Sequence, residues 1–366
     1  MAGTKTGQFK EIISPYLKNL MNKYKSEKGE KSKEYQSLFQ QYIYNPKEKK
    51  ITNSERSRHY NSVVKIKFQG KNIVGVERLY KRTILLEPTT VCAAHCRWCL
   101  RGQYPVQTMT REEITTAAKY MGSDYVKNDV NEILITGGDP LMSQSLLEYC
   151  LSQIQIYAPN IDTVRIGTRV PLQDPSRVND KLIDMLSLYD KFDFEFGINV
   201  CHYSEFTKES IDAIKKLRKA RYKIYNQHPL LKNVNDDIQT LIKLYDKMRE
   251  LKIEPHYLFH AIPMRGMSHH RTSVKKGLEL SMKLNSSGYF SGRSKPKYTL
   301  MTDLGKVVLY DGSILKKDPD SKNILIKTSY NITERQKWVP GWEKPDSVEV
   351  NSDNTMNVWY EDGSDE

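Results

Sequence analysis

The sequence predicts an α/β fold, a partial (β/α)6 barrel with a helical N-terminal arm and a β-rich C-terminal extension. Short apolar segments typical of strands alternate with amphipathic segments typical of helices. Such alternation favours a parallel sheet with right-handed crossovers. The Rossmann glycine pattern does not follow the first predicted strand, so a curved barrel is favoured over a doubly wound sheet. The length of 366 residues fits one large domain with terminal extensions.

The predicted elements follow in order along the chain. Residues 1–77 are predicted to form the arm, residues 78–303 the barrel and residues 304–366 the extension, where glycine-containing turns become frequent. Strands are predicted at residues 83–86, 132–136, 163–166, 192–200, 223–226 and 255–262. The first barrel helix is predicted to begin at Thr110, because Thr110 and Glu113 form a capping box. Further helices are predicted at residues 146–157, 180–189, 208–220, 236–251 and 274–284.

Three cysteines, Cys92, Cys96 and Cys99, follow the first barrel strand in the spacing C-x3-C-x2-C. Three such thiolates can hold three irons of a [4Fe–4S] cluster and leave the fourth iron open to a small molecule. A structural zinc site would need a fourth ligand, and none follows at finger-like spacing. The other two cysteines, Cys150 and Cys201, lie in apolar patterns that are typical of buried structural thiols.

Composition limits the partners. The chain carries 57 Lys and Arg against 44 Asp and Glu, a net charge of +13. Acids lie close to the lysine-rich stretches, so a solvated basic surface is favoured over a nucleic-acid site. No apolar run is long enough to predict a membrane span or a signal peptide. Five cysteines without a disulfide pattern suggest a reducing compartment, and we predict the cytoplasm.

Polar or glycine residues follow the ends of the predicted strands. In a barrel the C-terminal ends of the strands form the edge that carries the active site. Residues far apart in the sequence are therefore expected to meet at one mouth. They are Cys92, the segment Gly137–Gly138–Asp139, Arg169, His202, Gln227 and the turn at residues 263–266.

These segments resemble a known family. Trp98 gives the cysteine loop an aromatic residue before its last cysteine, as in radical S-adenosylmethionine (SAM) enzymes. The stretch from about Arg78 to about Lys306 is similar to the lysine 2,3-aminomutase family. The resemblance rests on ordered motifs at residues 92–101, 133–142, 165–171, 226–236, 269–272 and 287–289.

The resemblance implies a set of ligands to SAM. The segment Gly137, Gly138 and Asp139 is expected to contact the methionyl amino group. Arg169 is expected to pair with the carboxylate of SAM. His202 and Gln227 are expected to lie beside the same cofactor, although a lone His is as often a packing residue.

The family also implies pyridoxal phosphate (PLP) and an amino-acid substrate. Lys306 is expected to be the Schiff-base lysine, although the family's glycine run before it is missing. Arg78 and Arg82 are expected to bind the phosphate, and Arg101 the substrate carboxylate. Asp303 is the counterpart of one of two aspartates that hold the ammonium of lysine, whereas Ile262 replaces the other. A substrate other than lysine is therefore expected, because an ammonium facing Ile262 would lack its partner.

The sequence leaves other functional hypotheses open. One is a radical SAM isomerase, epimerase or dehydratase without PLP, and another is a degenerate member that binds RNA or a translation factor. The family also implies an electron donor such as flavodoxin or ferredoxin, and a homo-oligomer is possible. The family's zinc-binding cysteines are absent from the C-terminal part, so no structural metal is predicted.

Overall fold

An open nine-stranded sheet, curled into a partial barrel, forms the centre of the molecule. The structure is a computed structural model that describes residues 10–52, 66–102, 106–286, 290, 292–310, 312–328 and 330–364. The motif at residues 287–289 lies outside them. The strands lie side by side in the order in which they follow each other in the sequence. From first to last they are β3 (Val76–Glu77), β4 (Thr83–Thr89), β5 (Glu132–Gly137), β6 (Thr163–Thr168), β7 (Asp193–Ile198), β8 (Lys223–Leu230), β9 (Glu254–His260), β10 (Lys297–Thr302) and β11 (Gly305–Val308).

The seven strands β4 to β10 pair in parallel, as the sequence predicts. The edge strands β3 and β11 are antiparallel to their neighbours. Since β3 begins at Val76 and β11 ends at Val308, the sheet extends beyond residues 78–303 at both ends. The predicted partial barrel is confirmed, with three strands more than the six expected.

Helices cover the outside of the sheet with their apolar faces. The strands alternate in burial; in β6, for example, Val164 and Ile166 are fully buried. The capping box predicted at Thr110 is present at the start of the first barrel helix. The barrel helices are α3 (Arg111–Met121), α4 (Gln144–Tyr157), α5 (Val170–Gln173), α6 (Asp180–Ser187), α7 (Lys208–Lys219), α8 (Ile238–Glu250) and α9 (Val274–Ser286).

The N-terminal arm covers the loop that follows β4. It contains α1 (Pro15–Lys28) and α2 (Lys33–Tyr42), whose apolar residues pack against Ala94 and Cys96. Backbone hydrogen bonds join the two parts, for example from the Arg97 N–H to the Gln41 carbonyl over 2.8 Å. A short hairpin, β1 (Lys67–Phe68) and β2 (Lys71–Asn72), lies between the arm and the barrel in the sequence.

The C-terminal extension is β-rich, as predicted. Its antiparallel sheet contains β12 (Ile314–Lys317), β13 (Asn323–Ile326), β14 (Val348–Val350) and β15 (Met356–Glu361), with helix α10 (Ile332–Trp338) between β13 and β14. Buried Arg271 of the barrel forms an ion pair with Glu361 over 3.3 Å. No helix of the described residues is both long and apolar enough to cross a membrane.

Candidate active site

The three cysteines of the loop after β4 are largely removed from solvent. Cys96 is 8% exposed, and Cys92 and Cys99 are half-buried. The Cys99 N–H donates to the Cys96 carbonyl over 3.1 Å, which closes a turn between them. Burial raises the pKa of the Cys99 thiol to about 11 and raises the pKa of the other two thiols as well. Bound iron would offset the free-energy cost of ionising these buried thiols, because a metal deprotonates the thiol that it coordinates.

This donor set fits the predicted cluster. Thiolates are the usual ligands of iron–sulfur clusters, and each one binds a different iron, so the sulfurs need not meet at one point. No three His, Cys, Asp or Glu side chains of the described residues are arranged to hold a single metal ion. The predicted burial of Cys150 and Cys201 is confirmed, since both are fully buried.

Arg169, at the end of β6, contacts the cysteine loop directly. Its Nη1 donates to the Cys96 sulfur over 2.9 Å, and its Nη2 donates to Glu205 Oε2 over 2.5 Å. The guanidinium also lies 5.1 Å from the centre of the Trp98 ring. Hydrogen bonds to sulfur ligands shift the reduction potential of a cluster, so Arg169 is positioned to tune it. Its pairing with the carboxylate of SAM stays a prediction, because Glu205 fills that role in this structure.

Two glycines let the end of β5 pass close to the cysteine loop. Gly137 has φ +106°, and a Cβ there would lie 2.6 Å from the Thr89 carbonyl oxygen. At Gly138 a Cβ would lie 2.4 Å from the Val91 carbonyl oxygen. The glycines are thus needed to seat the loop, whatever else they bind. Their contact with SAM stays a prediction.

The Asp139 carboxylate is buried and organises the end of β6. It accepts hydrogen bonds from the Thr168 hydroxyl over 2.8 Å and from the backbone N–H groups of Arg169 and Val170 over 2.7 and 3.0 Å. Burial raises its pKa to about 6, against the lowering effect of these hydrogen bonds. In this structure Asp139 positions Arg169. Its predicted contact with an ammonium group is not among these contacts and stays a prediction.

His202 and Gln227 each present a buried atom that lacks a hydrogen-bond partner among the described residues, His202 Nε2 and Gln227 Oε1. The other ring nitrogen of His202 accepts from the Ser204 N–H over 3.2 Å. Burial lowers the pKa of His202 to about 4, so the ring is neutral at pH 7. An unpaired buried polar atom costs about 1–3 kcal/mol. Both atoms are therefore suited to a ligand, which is the role predicted for these residues.

Strand β11 places the Lys306 ammonium among aromatic rings. Its Nζ lies 5.0 Å from the centre of the Tyr257 ring and 5.7 Å from the centres of the Phe259 and Tyr80 rings. Burial lowers the pKa of Lys306 to about 8, and the nearby charge of Arg165 lowers it further. A lysine that becomes neutral near this pH can act as a nucleophile.

A polar network near Lys306 was not predicted from the sequence. Arg165 of β6 donates to Glu132 of β5 over 2.7 Å and to the Tyr225 hydroxyl of β8 over 2.9 Å. These side chains share the face of the sheet that is opposite to the helices. The sequence signal that could have revealed this network is Arg165, a charged residue in the middle of a predicted apolar strand.

Arg78 and Arg82 lie in different surroundings, and phosphate binding by them stays a prediction. Arg78 is 7% exposed and donates to Asp129 Oδ2 over 3.3 Å and to the Lys81 carbonyl over 3.2 Å. Arg82 is exposed. Tyr80, which lies between them in the sequence, is the residue of this segment that reaches Lys306.

Arg101 and Asp303 both contact groups of the protein. Arg101 forms an ion pair with Glu87, and its Nη2 lies 4.0 Å from Glu77 Oε2. Burial raises the pKa of Glu77 to about 7, although Arg101 lowers it. Asp303, in the turn between β10 and β11, accepts from the Ser347 hydroxyl over 2.7 Å. Substrate binding by Arg101 and Asp303 stays a prediction.

Comparisons with known proteins agree with this architecture. The family model described as the radical SAM superfamily matches residues 86–245. A protein of Aquifex aeolicus, provisionally named an L-lysine 2,3-aminomutase, is 36% identical over 67% of this chain and 66% of its own length. The L-lysine 2,3-aminomutase of Methanococcus maripaludis is 34% identical over 62% of this chain and 52% of its own length. The glutamate 2,3-aminomutase of Clostridioides difficile is 32% identical over 63% of this chain and 54% of its own length.

The barrel, the cysteine loop and the family match define a radical SAM protein. Within that superfamily the chain is a lysine 2,3-aminomutase-like protein. The family predicted from the motifs is thereby confirmed, and the superfamily implies the [4Fe–4S] cluster and SAM. The chain spans about half to two thirds of the length of these curated relatives.

Proposed function

We propose that this protein is a radical SAM aminomutase that moves an amino group between adjacent carbons of an amino acid, with PLP bound to Lys306. The observation that carries the proposal is the Lys306 amine, whose pKa is lowered to about 8, in the barrel that also carries the cysteine loop. The names of its relatives, lysine and glutamate 2,3-aminomutases, support the same reaction class.

Each part of the site has a role in this proposal. Cys92, Cys96 and Cys99 would hold the cluster, and Lys306 would hold PLP. When bound, the cluster, SAM and PLP supply the radical that removes a hydrogen from the substrate and the carrier on which nitrogen migrates. The arm excludes water from Cys96, since the apolar residues of α1 and α2 pack against it. Such exclusion protects a reactive intermediate from side reactions.

The substrate class follows from the charges of the site. Ile262 offers no acid, and Asp303 accepts from Ser347. We therefore propose that the substrate is an amino acid other than lysine. We propose that Arg101 binds the carboxylate of the substrate. This carboxylate would compete with Glu87 for the Arg101 guanidinium.

The test is anaerobic reconstitution of the full chain with iron, sulfide, SAM and PLP, followed by incubation with a mixed pool of amino acids. We expect 5′-deoxyadenosine and a β-amino acid product, both read by mass spectrometry. Cys96→Ala should abolish both, whereas Cys150→Ala, a matched buried cysteine of α4, should not. Full 5′-deoxyadenosine formation in Cys96→Ala would refute the cluster assignment.

A PLP-independent isomerase of the same fold is the second candidate. The hydrogen bond from Arg78 Nη2 to Asp129 and the exposure of Arg82 favour it, because this donor of Arg78 is taken by a carboxylate of the protein. Borohydride reduction distinguishes the two: a pyridoxyl label on Lys306 supports the aminomutase. Unlabelled protein with an intact cluster and turnover in Lys306→Ala supports the alternative.

We also propose a reduced flavodoxin or ferredoxin as the electron donor and the cytoplasm as the location, since a [4Fe–4S] cluster that must be reduced suits a reducing compartment. Replacing chemical reductant by reduced flavodoxin should sustain 5′-deoxyadenosine formation.

A further inference from the structure

Arg335 is a buried arginine of the C-terminal extension that reaches the barrel. It lies in α10 and is 1% exposed. Its Nη1 donates to the Leu79 carbonyl over 2.9 Å, across 256 positions of the sequence. The guanidinium lies 5.2 Å from the centre of the Tyr330 ring and 5.5 Å from the centre of the Trp342 ring.

No acid of the described residues acts on the charge of Arg335. Its Nε and Nη2 lack a hydrogen-bond partner among the described residues. Burial lowers the pKa of Arg335, and the groups that oppose this effect are the phenols of Tyr330 and Tyr80, not carboxylates. A buried guanidinium without an anion is costly, and aromatic contacts recover only part of that cost. Donors left open in this way are suited to an anion that the protein binds.

The Arg335 guanidinium lies beside the backbone of both segments that would hold PLP. Leu79, which Arg335 contacts, lies between the two arginines predicted to bind the phosphate. The Nη2 atom is 3.8 Å from the position that a Cβ on Gly305 would occupy, directly before Lys306. Tyr330, which stacks with Arg335, donates to the Lys306 carbonyl over 2.9 Å.

We propose that Arg335 binds an oxyanion, the phosphate of PLP held at Lys306; this inference rests on the proposed function. The planar guanidinium matches the geometry of phosphate oxygens through parallel N–H donors. Arg335 would add a phosphate contact to those predicted for Arg78 and Arg82. The extension then contributes directly to the cofactor site instead of only covering the barrel.

The test compares PLP with pyridoxal, which has the aldehyde but no phosphate. Binding of each is followed on the full chain by the absorbance of the lysine adduct and by borohydride labelling. We expect wild type to prefer PLP and Arg335→Gln to lose about tenfold or more of that preference, with pyridoxal affinity unchanged. Arg335→Lys should retain part of the preference, because the charge remains. The control is Arg293→Gln, an exposed arginine paired with Glu254.

Each other outcome contradicts the inference in a different way. Equal weakening of PLP and pyridoxal in Arg335→Gln, with a lower melting temperature of the ligand-free protein, would mean a structural role. Unchanged PLP preference together with weaker binding of an amino acid, but not of its amide, would assign Arg335 to the substrate carboxylate. Failure of wild type to form any adduct would refute PLP dependence itself. Adduct formation with no effect of Arg335→Gln would refute only the role of Arg335.

Discussion

Lys306 combines burial with a nucleophilic amine. Three aromatic rings surround its Nζ. Within the described part of the chain, Lys306 forms no ion pair with a carboxylate. The acid that raises the pKa of Lys306, Glu132, forms an ion pair with Arg165. A lysine in such a place is less easily protonated than one at the surface. Its pH dependence is therefore a direct test of its environment.

The rate of PLP adduct formation at Lys306 should rise about tenfold per pH unit below pH 8 and level off above it, since only the neutral amine reacts. Stopped-flow absorbance across this range measures the rate, with Lys306→Ala as the blank. A midpoint near the usual lysine value of 10.5 would mean that the amine is exposed to water when it reacts.

Ionisation of Glu77 should lower the free energy of unfolding as the pH rises from 4.5 to about 7. Its folded pKa is raised to about 7, so in this window the folded state binds more protons than the unfolded state. Glu77→Gln should remove this slope and gain about 1–3 kcal/mol over wild type between pH 5 and pH 8, as urea unfolding would measure. Glu27→Gln, at an exposed position of α1, is the control. An unchanged slope in Glu77→Gln would show that Arg101 fully compensates this carboxylate.

Contacts between residues distant in the sequence were beyond prediction. The cysteine spacing was readable because the ligands lie in one loop. The hydrogen bond from Arg169 to Cys96 spans 73 positions, and that from Arg335 to Leu79 spans 256. Nothing in the local pattern of α10 distinguishes Arg335 from a surface arginine. Glu205 had a weak signal, its capping-box spacing to His202.

Elements were predicted better than their ends. Strand β8 was expected at residues 223–226 and continues to Leu230, because pairing with β9 extends it through polar residues and a proline that break the apolar pattern. Strand β3 was not expected, and β11 lies in a segment that was predicted to belong to the β-rich extension and not to the barrel sheet. Each is short and antiparallel to its neighbour, and such edge strands depend on the rest of the sheet.

The arm should protect the cluster, because α2 packs on the cysteine loop. Leu38→Ala removes a fully buried side chain from the apolar contact with Cys96 and should cost about 2–5 kcal/mol in the stability of the arm. We expect reconstituted protein to lose iron to a chelator several times faster than wild type. Leu217→Ala, an equal truncation in α7 within the main core, should not change iron release before the whole protein unfolds. Equal release rates in both variants would contradict a protective arm.

The distribution of charge over the whole molecule favours an enzyme over the RNA-binding alternative. Many surface lysines lie beside acids, as in the pairs Lys25–Glu30 and Lys247–Glu250. We expect RNA affinity no tighter than the nonspecific range of about 10⁻⁴ to 10⁻⁶ M at physiological salt. Filter binding across salt concentrations measures this affinity on reconstituted protein, and SAM cleavage is assayed on the same sample. Tight binding with a steep salt dependence and no cleavage would favour the RNA-binding alternative.

The bond between Arg335 and Leu79 also has a consequence during synthesis on the ribosome. Residue 79 emerges long before residue 335, and domains fold as units while the chain grows. A nascent chain can therefore form the cysteine loop and most of the barrel before the guanidinium that faces Leu79 exists. Assembly of the cluster loop and completion of the Lys306 site are thus separated in time, and cofactor loading at Lys306 is expected to follow the end of translation.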